Sequence, residues 1–143
     1  MDKKELYRSI ITSNATKPYK MVSEFESNHI IQKTKSTSCS DEYDVAIQIE
    51  GGKVVSAMFK GHGCSISKSS LNLICSYIEN KSVDEAKELI TNYKSMITGK
   101  DFDTNGLEDL IAFENVHQYL NRVGCASMGA TAILQILEES HGK

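Results

Sequence analysis

Residues 43 to 50, YDVAIQIE, alternate apolar and polar side chains up to a Gly-Gly pair, and the β-prone KVVSAMF follows at 53 to 59. Successive side chains of a strand point to opposite faces, so Val45, Ile47 and Ile49 fall on one face, and EGG at 50 to 52 supplies the residues a tight hairpin turn demands. The stretch predicts two antiparallel strands, and HIIQKTK at 29 to 35 predicts a third. After KGHGC the period changes. Ile66, Leu73, Ile74 and Tyr77 recur at helical spacing, which takes the chain out of the sheet and into a helix that ends near Asn80.

The remaining segments read as helices around that sheet. Leu6, Ile10 and Ile11 lie at helical spacing behind Asp2, a capping residue, so residues 3 to 13 predict a leading helix that Pro18 closes off. Ser82 and Glu85 form a capping-box pattern opening a helix through Ala86, Leu89, Ile90, Tyr93 and Met96, which Gly99 ends. A further helix is expected to carry Leu107, Leu110, Ile111 and Tyr119. The closing ASMGATAILQILEES then turns Ile133, Ile136 and Leu137 to the core. The order is helix, three strands, then helices: an α+β fold, with no internal repeat or low-complexity tract.

The chain has 143 residues, and 40% are hydrophobic, enough for one domain with a core of its own, spanning 1–143. Its formal charge is -3 and its cations are dispersed, so the phosphate-neutralising stripe of a nucleic-acid binder is missing. No apolar run approaches the roughly 20 residues that span a bilayer. MDKKELYRSI carries charges where a signal peptide has its apolar centre, so the expected location is the cytosol. Thiols are kept reduced there, and the four cysteines are weighed as metal ligands or nucleophiles against the simpler alternative of packed core residues.

Their placement separates them. Cys39 and Asp41 in STSCSDEYD stand two positions apart, so an extended backbone points both to one side. Cys64 in GHGCSIS sits where the third strand gives way to a helix, beside glycines that permit a sharp turn. Cys125 in RVGCASM also follows a glycine and is expected to open the last helix. A helix start sets a sulfur beside unsatisfied amides, which suits the thiolate, the form that binds metal. Cys75, inside LNLICSYI, is expected to be a core residue. Three cysteines and one aspartate make a tetrahedral set suited to zinc, or a labile site for iron and sulfide. His62 is a candidate ligand or a solvated turn residue, and Arg122 is a partner for the Cys125 thiolate or an ordinary surface arginine.

The order Cys-x-Asp, then Gly-x-Gly-Cys-x-Ile-Ser, then Arg-x-x-Cys-Ala resembles the NifU-like and IscU-like scaffold family of iron-sulfur cluster assembly, within it the zinc-containing SufU branch. ELYRSIITSNATKP at 5 to 18 is similar to that family's first helix. Gly124 stands where the IscU type has histidine, and a helical segment at about 81 to 100 separates Cys64 from Cys125. STSCSD replaces the family's Asn-Pro-Thr-Cys-Gly-Asp, with Ser40 for glycine, and Asn14 stands at the first-helix histidine position. Every donor atom is kept.

The resemblance implies one zinc per chain held by Cys39, Asp41, Cys64 and Cys125, with a pyridoxal-phosphate cysteine desulfurase as partner. It implies Cys39 as the sulfur acceptor and Arg122 as the residue that steadies the sulfur's charge. Three functions follow as alternatives: a sulfur acceptor and carrier of sulfurtransferase type, a scaffold that assembles an iron-sulfur cluster for downstream assembly proteins or apoproteins, and a structural zinc domain. A zinc deaminase is excluded, because its His-x-Glu and Pro-Cys-x-x-Cys signature is missing.

Overall fold

Residues 2–26, 28–36 and 40–140 are described by the structure, a computed structural model. Helix α1, Lys3–Thr16, starts where the Asp2 side chain accepts the Glu5 amide at 2.8 Å. Beyond Pro18 the chain runs alongside the sheet. Met21 bridges Phe59 in parallel, with Val22 N–H donating to the Phe59 carbonyl at 2.8 Å. Strands β1, Ile30–Lys35, β2, Glu42–Glu50, and β3, Lys53–His62, form an antiparallel sheet in the order β1-β2-β3.

One irregularity in this sheet has a use. Gln48 pairs with Ser56 but Ile49 pairs with Val54, so Val55 is an extra residue on β3. The bulge changes which positions face inward. Ala57 and Phe59 on one side of it and Val54 on the other are all fully buried, while Val55 is exposed.

Two helices follow. Helix α2, Ser65–Ile78, buries Leu71, Leu73, Ile74, Cys75 and Ile78. Helix α3, Val83–Ile97, opens on the expected capping box between Ser82 and Glu85. At its end Gly99 N–H reaches the Met96 carbonyl and Lys100 N–H the Ser95 carbonyl, a Schellman arrangement that the positive φ of Gly99 permits.

The next segment departs from expectation. Residues 107 to 119 do not make one α-helix but two short 3₁₀ segments, Glu108–Phe113 and Val116–Gln118. Gly106 and Glu108 both take positive φ, which a right-handed helix cannot continue through. Leu107, Leu110 and Phe113 still reach the core, while Tyr119 caps the next helix and is exposed. Helix α4, Leu120–Glu139, crosses α2 closely: a Cβ on Gly129 would collide with the Leu71 side chain.

The core lies between the inner face of the sheet and α2, with α3 and α4 completing it. Ile133, Ile136 and Leu137 pack there as their spacing predicts. No helix among the described residues is long and apolar enough to cross a membrane.

Candidate metal centre

Three segments far apart in sequence meet at one end of the sheet. Asp41 stands just before β2, Cys64 is the N-cap of α2, and Cys125 lies on α4. One carboxylate oxygen and the two sulfurs lie within 4.8 Å of one another. A tetrahedral ion with bonds of about 2.0 to 2.3 Å holds its donor atoms under roughly 4 Å apart, so small side-chain adjustments bring this set into coordination. Asp41 and Cys125 are buried and Cys64 is exposed. Cys39, two residues before Asp41, lies outside the described residues, so the structure brings together three of the four expected ligands.

Local chemistry explains why each group is where it is. The Cys64 amide donates to Asp41 Oδ1 at 3.1 Å, and Ser36 N–H donates to the Asp41 carbonyl at 2.9 Å. The first bond ties Asp41 to the start of α2, and the second ties it to the end of β1. As the N-cap, Cys64 has extended backbone angles and makes no side-chain capping bond, so its sulfur is available to the centre beside the positive end of the helix dipole.

Cys125 differs from expectation. Helix α4 begins five residues earlier, at Leu120, so Cys125 sits in its second turn and owes nothing to a helix start. Its sulfur lies 3.8 Å from the Asn121 carbonyl oxygen. The position of α4 is set instead by hydrogen bonds to Ala126. Its carbonyl accepts from the Tyr93 hydroxyl at 2.8 Å and from the Ser70 hydroxyl at 3.1 Å.

Sequence reasoning missed these two residues, and it also missed Tyr43 and Ser67. The Tyr43 phenol, on β2, meets the Ser67 hydroxyl on α2 at 2.8 Å, and Ser67 Oγ lies 3.8 Å from Cys64 Sγ. Burial pushes the Tyr43 phenol up to about 12; the Ser67 hydrogen bond pulls the other way, and the negative charges of Asp41, Cys64 and Cys125 add to the rise. Gly63 makes room for the pair: a Cβ there would collide with the phenol oxygen and lie 2.6 Å from Ser67 Oγ. The signal was available in Ser67 and Ser70, two hydroxyls three residues apart on an otherwise apolar helix face.

The other candidates stand apart from the cluster. Cys75 is fully buried among apolar side chains, which pushes its thiol up to about 12, in keeping with a core residue. His62 ends β3, exposed. Arg122, in the first turn of α4, stacks over the Tyr119 ring at 5.0 Å. It borders a cleft of about 630 Å³ that also takes in Lys3, Lys4, Arg8, Ser65 and Tyr119.

A helix leading into a three-stranded antiparallel sheet, with helices that bring two thiols and a carboxylate to the sheet's end, defines a small α+β class built around a sulfur-rich centre. The chain belongs to the NifU-like N-terminal domain family, which it matches over residues 7–126. It is 30% identical to the iron-sulfur cluster assembly scaffold protein IscU of Thermotoga maritima over 110 residues, 77% of this chain and 78% of that one. Over 138 residues it is 25% identical to the zinc-dependent sulfurtransferase SufU of Bacillus subtilis, covering 96% of this chain and 92% of that one. A crystal structure from Fervidobacterium islandicum AW-1, assigned to iron-sulfur cluster assembly scaffolding for the SUF system, superimposes with a TM-score of 0.84 at 32% identity, covering 94% and 98% of the two chains. The N-terminal NifU-like protein of Brucella abortus, 16% identical with a TM-score of 0.81 and covering 94% and 96% of the two chains, shares the fold.

Proposed function

We propose that this chain is a cytoplasmic iron-sulfur cluster assembly protein that holds one zinc ion through Cys39, Asp41, Cys64 and Cys125 and accepts persulfide sulfur from a cysteine desulfurase. The observation that carries the reading is the meeting of Asp41, Cys64 and Cys125 within 4.8 Å from three separate parts of the chain. Two soft sulfurs and one oxygen fit zinc, and Cys39, close to Asp41 in the chain, is the natural fourth donor. Bound zinc would keep the thiols deprotonated at neutral pH while damping their reactivity.

Asp41, Cys64 and Cys125 supply the fixed part of the centre. Cys39 is the acceptor: its thiolate attacks the outer sulfur of the desulfurase persulfide, a new S–S bond forms on Cys39, the old one breaks, and the donor cysteine leaves as thiolate. The Arg122 guanidinium, three residues before Cys125 on the same helix, would turn from the Tyr119 ring to steady negative charge on sulfur. The neighbouring cleft suits an incoming partner. Lys3, Lys4, Arg8 and Arg122 line it against one carboxylate, Glu114, which is already engaged by Lys3 at 2.7 Å and Tyr7 at 2.6 Å.

A cluster scaffold is the second reading, favoured by the name of the Thermotoga maritima relative. Gly124 offers no donor atom beside Cys125, and this favours the sulfur carrier. Elemental analysis and desulfurase turnover test the choice. The carrier binds one zinc per chain that iron does not displace, and it speeds the desulfurase. A coloured cluster passed to an apoprotein supports the scaffold. Cys39→Ala is expected to keep its fold and lose sulfur acceptance; unfolding of that variant would instead mark a structural zinc.

A further inference from the structure

We propose that Tyr43 is a positioning residue for the metal centre: together with Asp41 it grips the Cys64 main chain at both ends, and the glycines of GHGC are fitted around it. The proposal rests on the metal-ligand reading above and deepens it, since it says what fixes the spacing of Asp41 and Cys64.

Asp41 and Tyr43 stand two positions apart, so an extended chain turns both towards the start of α2. Each holds a different side of Cys64. The Asp41 carboxylate accepts the Cys64 amide at 3.1 Å. On the other side the Cys64 carbonyl accepts from the Ser67 hydroxyl at 3.2 Å and from the Lys68 amide at 3.1 Å. A serine hydroxyl has one proton to give, and this geometry commits it to the Cys64 carbonyl. In the 2.8 Å contact between Tyr43 and Ser67 the phenol is therefore the donor. Tyr43, Ser67 and Cys64 form a directed relay from β2 to the helix start. Tyr43 and Ser67 are each 1% exposed, so bulk water does not compete for these bonds.

The two glycines of GHGC serve this relay for different reasons. Gly61 pairs with Tyr43 across the sheet at a φ of 137°, and a Cβ there would lie 2.8 Å from the Tyr43 Cα. Gly63 has no left-handed angle, so its need is for space: a Cβ there would collide with the phenol oxygen and lie 2.6 Å from Ser67 Oγ. Strand β3 and the start of α2 thus close directly on the phenol. Phe59 meets the ring edge-on at 5.7 Å between centres and keeps it from swinging away. The influence of Tyr43 on the centre passes through the Cys64 main chain, which carries one ligand and is held by another.

The test compares wild type with Tyr43→Phe, which removes one oxygen and leaves the ring. Ile136→Val is the control, a core change about three turns beyond Cys125 on α4 with a comparable loss of overall stability. Amide hydrogen exchange of metal-free, reduced protein is the first readout. Amides at a helix start exchange by local opening, and loss of one modest hydrogen bond is expected to speed Cys64 and Lys68 about two- to tenfold in Tyr43→Phe. Ile136→Val acts on global unfolding and leaves these two amides unchanged.

Zinc release to a colorimetric chelator is the second readout, expected to be about two- to tenfold faster in Tyr43→Phe and unchanged in Ile136→Val. Gly63→Ala, which fills the place of the phenol oxygen, should release zinc at least as fast as Tyr43→Phe; where it does not fold, Tyr43→Phe carries the test alone. Wild-type exchange rates at Cys64 and Lys68 in Tyr43→Phe overturn the proposal, and so does zinc release that rises equally in Ile136→Val. A wild-type protein that binds no zinc overturns the metal-ligand reading instead, and hydrogen exchange still decides whether Tyr43 holds Cys64 in place.

Discussion

The Tyr93 hydroxyl on α3 donates to the Ala126 carbonyl on α4 at 2.8 Å, one residue past Cys125. Ser70 on α2 reaches the same oxygen at 3.1 Å and Tyr93 itself at 2.8 Å, so three helices share one buried polar junction. The junction fixes the turn of α4 that carries a sulfur of the centre. Burial raises the Tyr93 phenol far above its ordinary range, so it stays a donor throughout the useful pH range.

Tyr93→Phe removes that donor and leaves the ring in place. The expected cost is about 1 to 2 kcal/mol, the range for one buried hydrogen bond, read as a lower urea midpoint with an unchanged slope. Because the lost bond adjoins Cys125, zinc should also pass more quickly to a colorimetric chelator. Equal rates in both proteins would separate this junction from the centre.

Asp41→Ala removes the oxygen donor and the acceptor of the Cys64 amide together. The backbone bond from Ser36 to the Asp41 carbonyl is untouched by this change, so residue 41 keeps one of its anchors. Zinc content after dialysis is expected to fall from one per chain to a fraction of that. Asp41→Asn, which keeps one oxygen, should lie between. Elemental analysis of the three proteins purified side by side checks the order.

Much of the fold can be read in the sequence because its cues are local. The alternation before Gly51 and Gly52, the Asp2 cap and the Ser82–Glu85 box each act within a few residues, and each appears as expected. Where two local cues conflict, the weaker one misleads. Gly124 reads as a helix boundary, yet α4 runs straight through it, because a mid-helix glycine costs only about 1 kcal/mol and burial of Ala126, Ala130 and Ile133 outweighs that. The apolar spacing of Leu107, Leu110 and Ile111 suggests an α-helix, but positive φ at Gly106 and Glu108 interrupts any right-handed helix at its start, and the chain beyond makes short 3₁₀ turns.

The site is legible as a set of residue types and not as a place. Nothing local says that positions 41, 64 and 125 meet, since that depends on how α2 and α4 pack against the sheet. The family pattern supplies the grouping. Tyr43 escapes notice because a strand tyrosine carries no meaning until its oxygen is seen 2.8 Å from that of Ser67.

Cys75 provides an internal control for thiol chemistry. Its folded thiol is pushed up to about 12 because it is fully buried, against about 8.5 in an unfolded chain. Below 8.5 both states keep the proton and there is no pH effect. Above it the unfolded state releases the proton while the folded state holds it, so stability falls as pH rises from about 8.5 towards 12. Cys75→Ala should flatten that part of the pH–stability curve while retaining zinc. In native protein at pH 8, iodoacetamide should leave Cys75 unlabelled, and urea should expose it.

The crossing of α2 and α4 can be tested through the pair that sets its distance. A Cβ on Gly129 would overlap the Leu71 side chain, which is 1% exposed and has little room to turn aside. Gly129→Ala therefore trades a gain in helix propensity of about 1 kcal/mol against overpacking of about 1 to 3 kcal/mol, and a net loss is expected. Leu71→Ala alone should cost about 2 to 5 kcal/mol through the cavity it leaves. In the double variant the new methyl group enters that cavity, the clash disappears and the propensity gain remains. Its loss should thus be smaller than that of Leu71→Ala alone, a coupling of about 1 to 3 kcal/mol measurable in a double-mutant cycle of urea unfolding. Simple additivity would show that the two helices can move apart, and that the spacing of Cys64 and Cys125 is not set at this crossing.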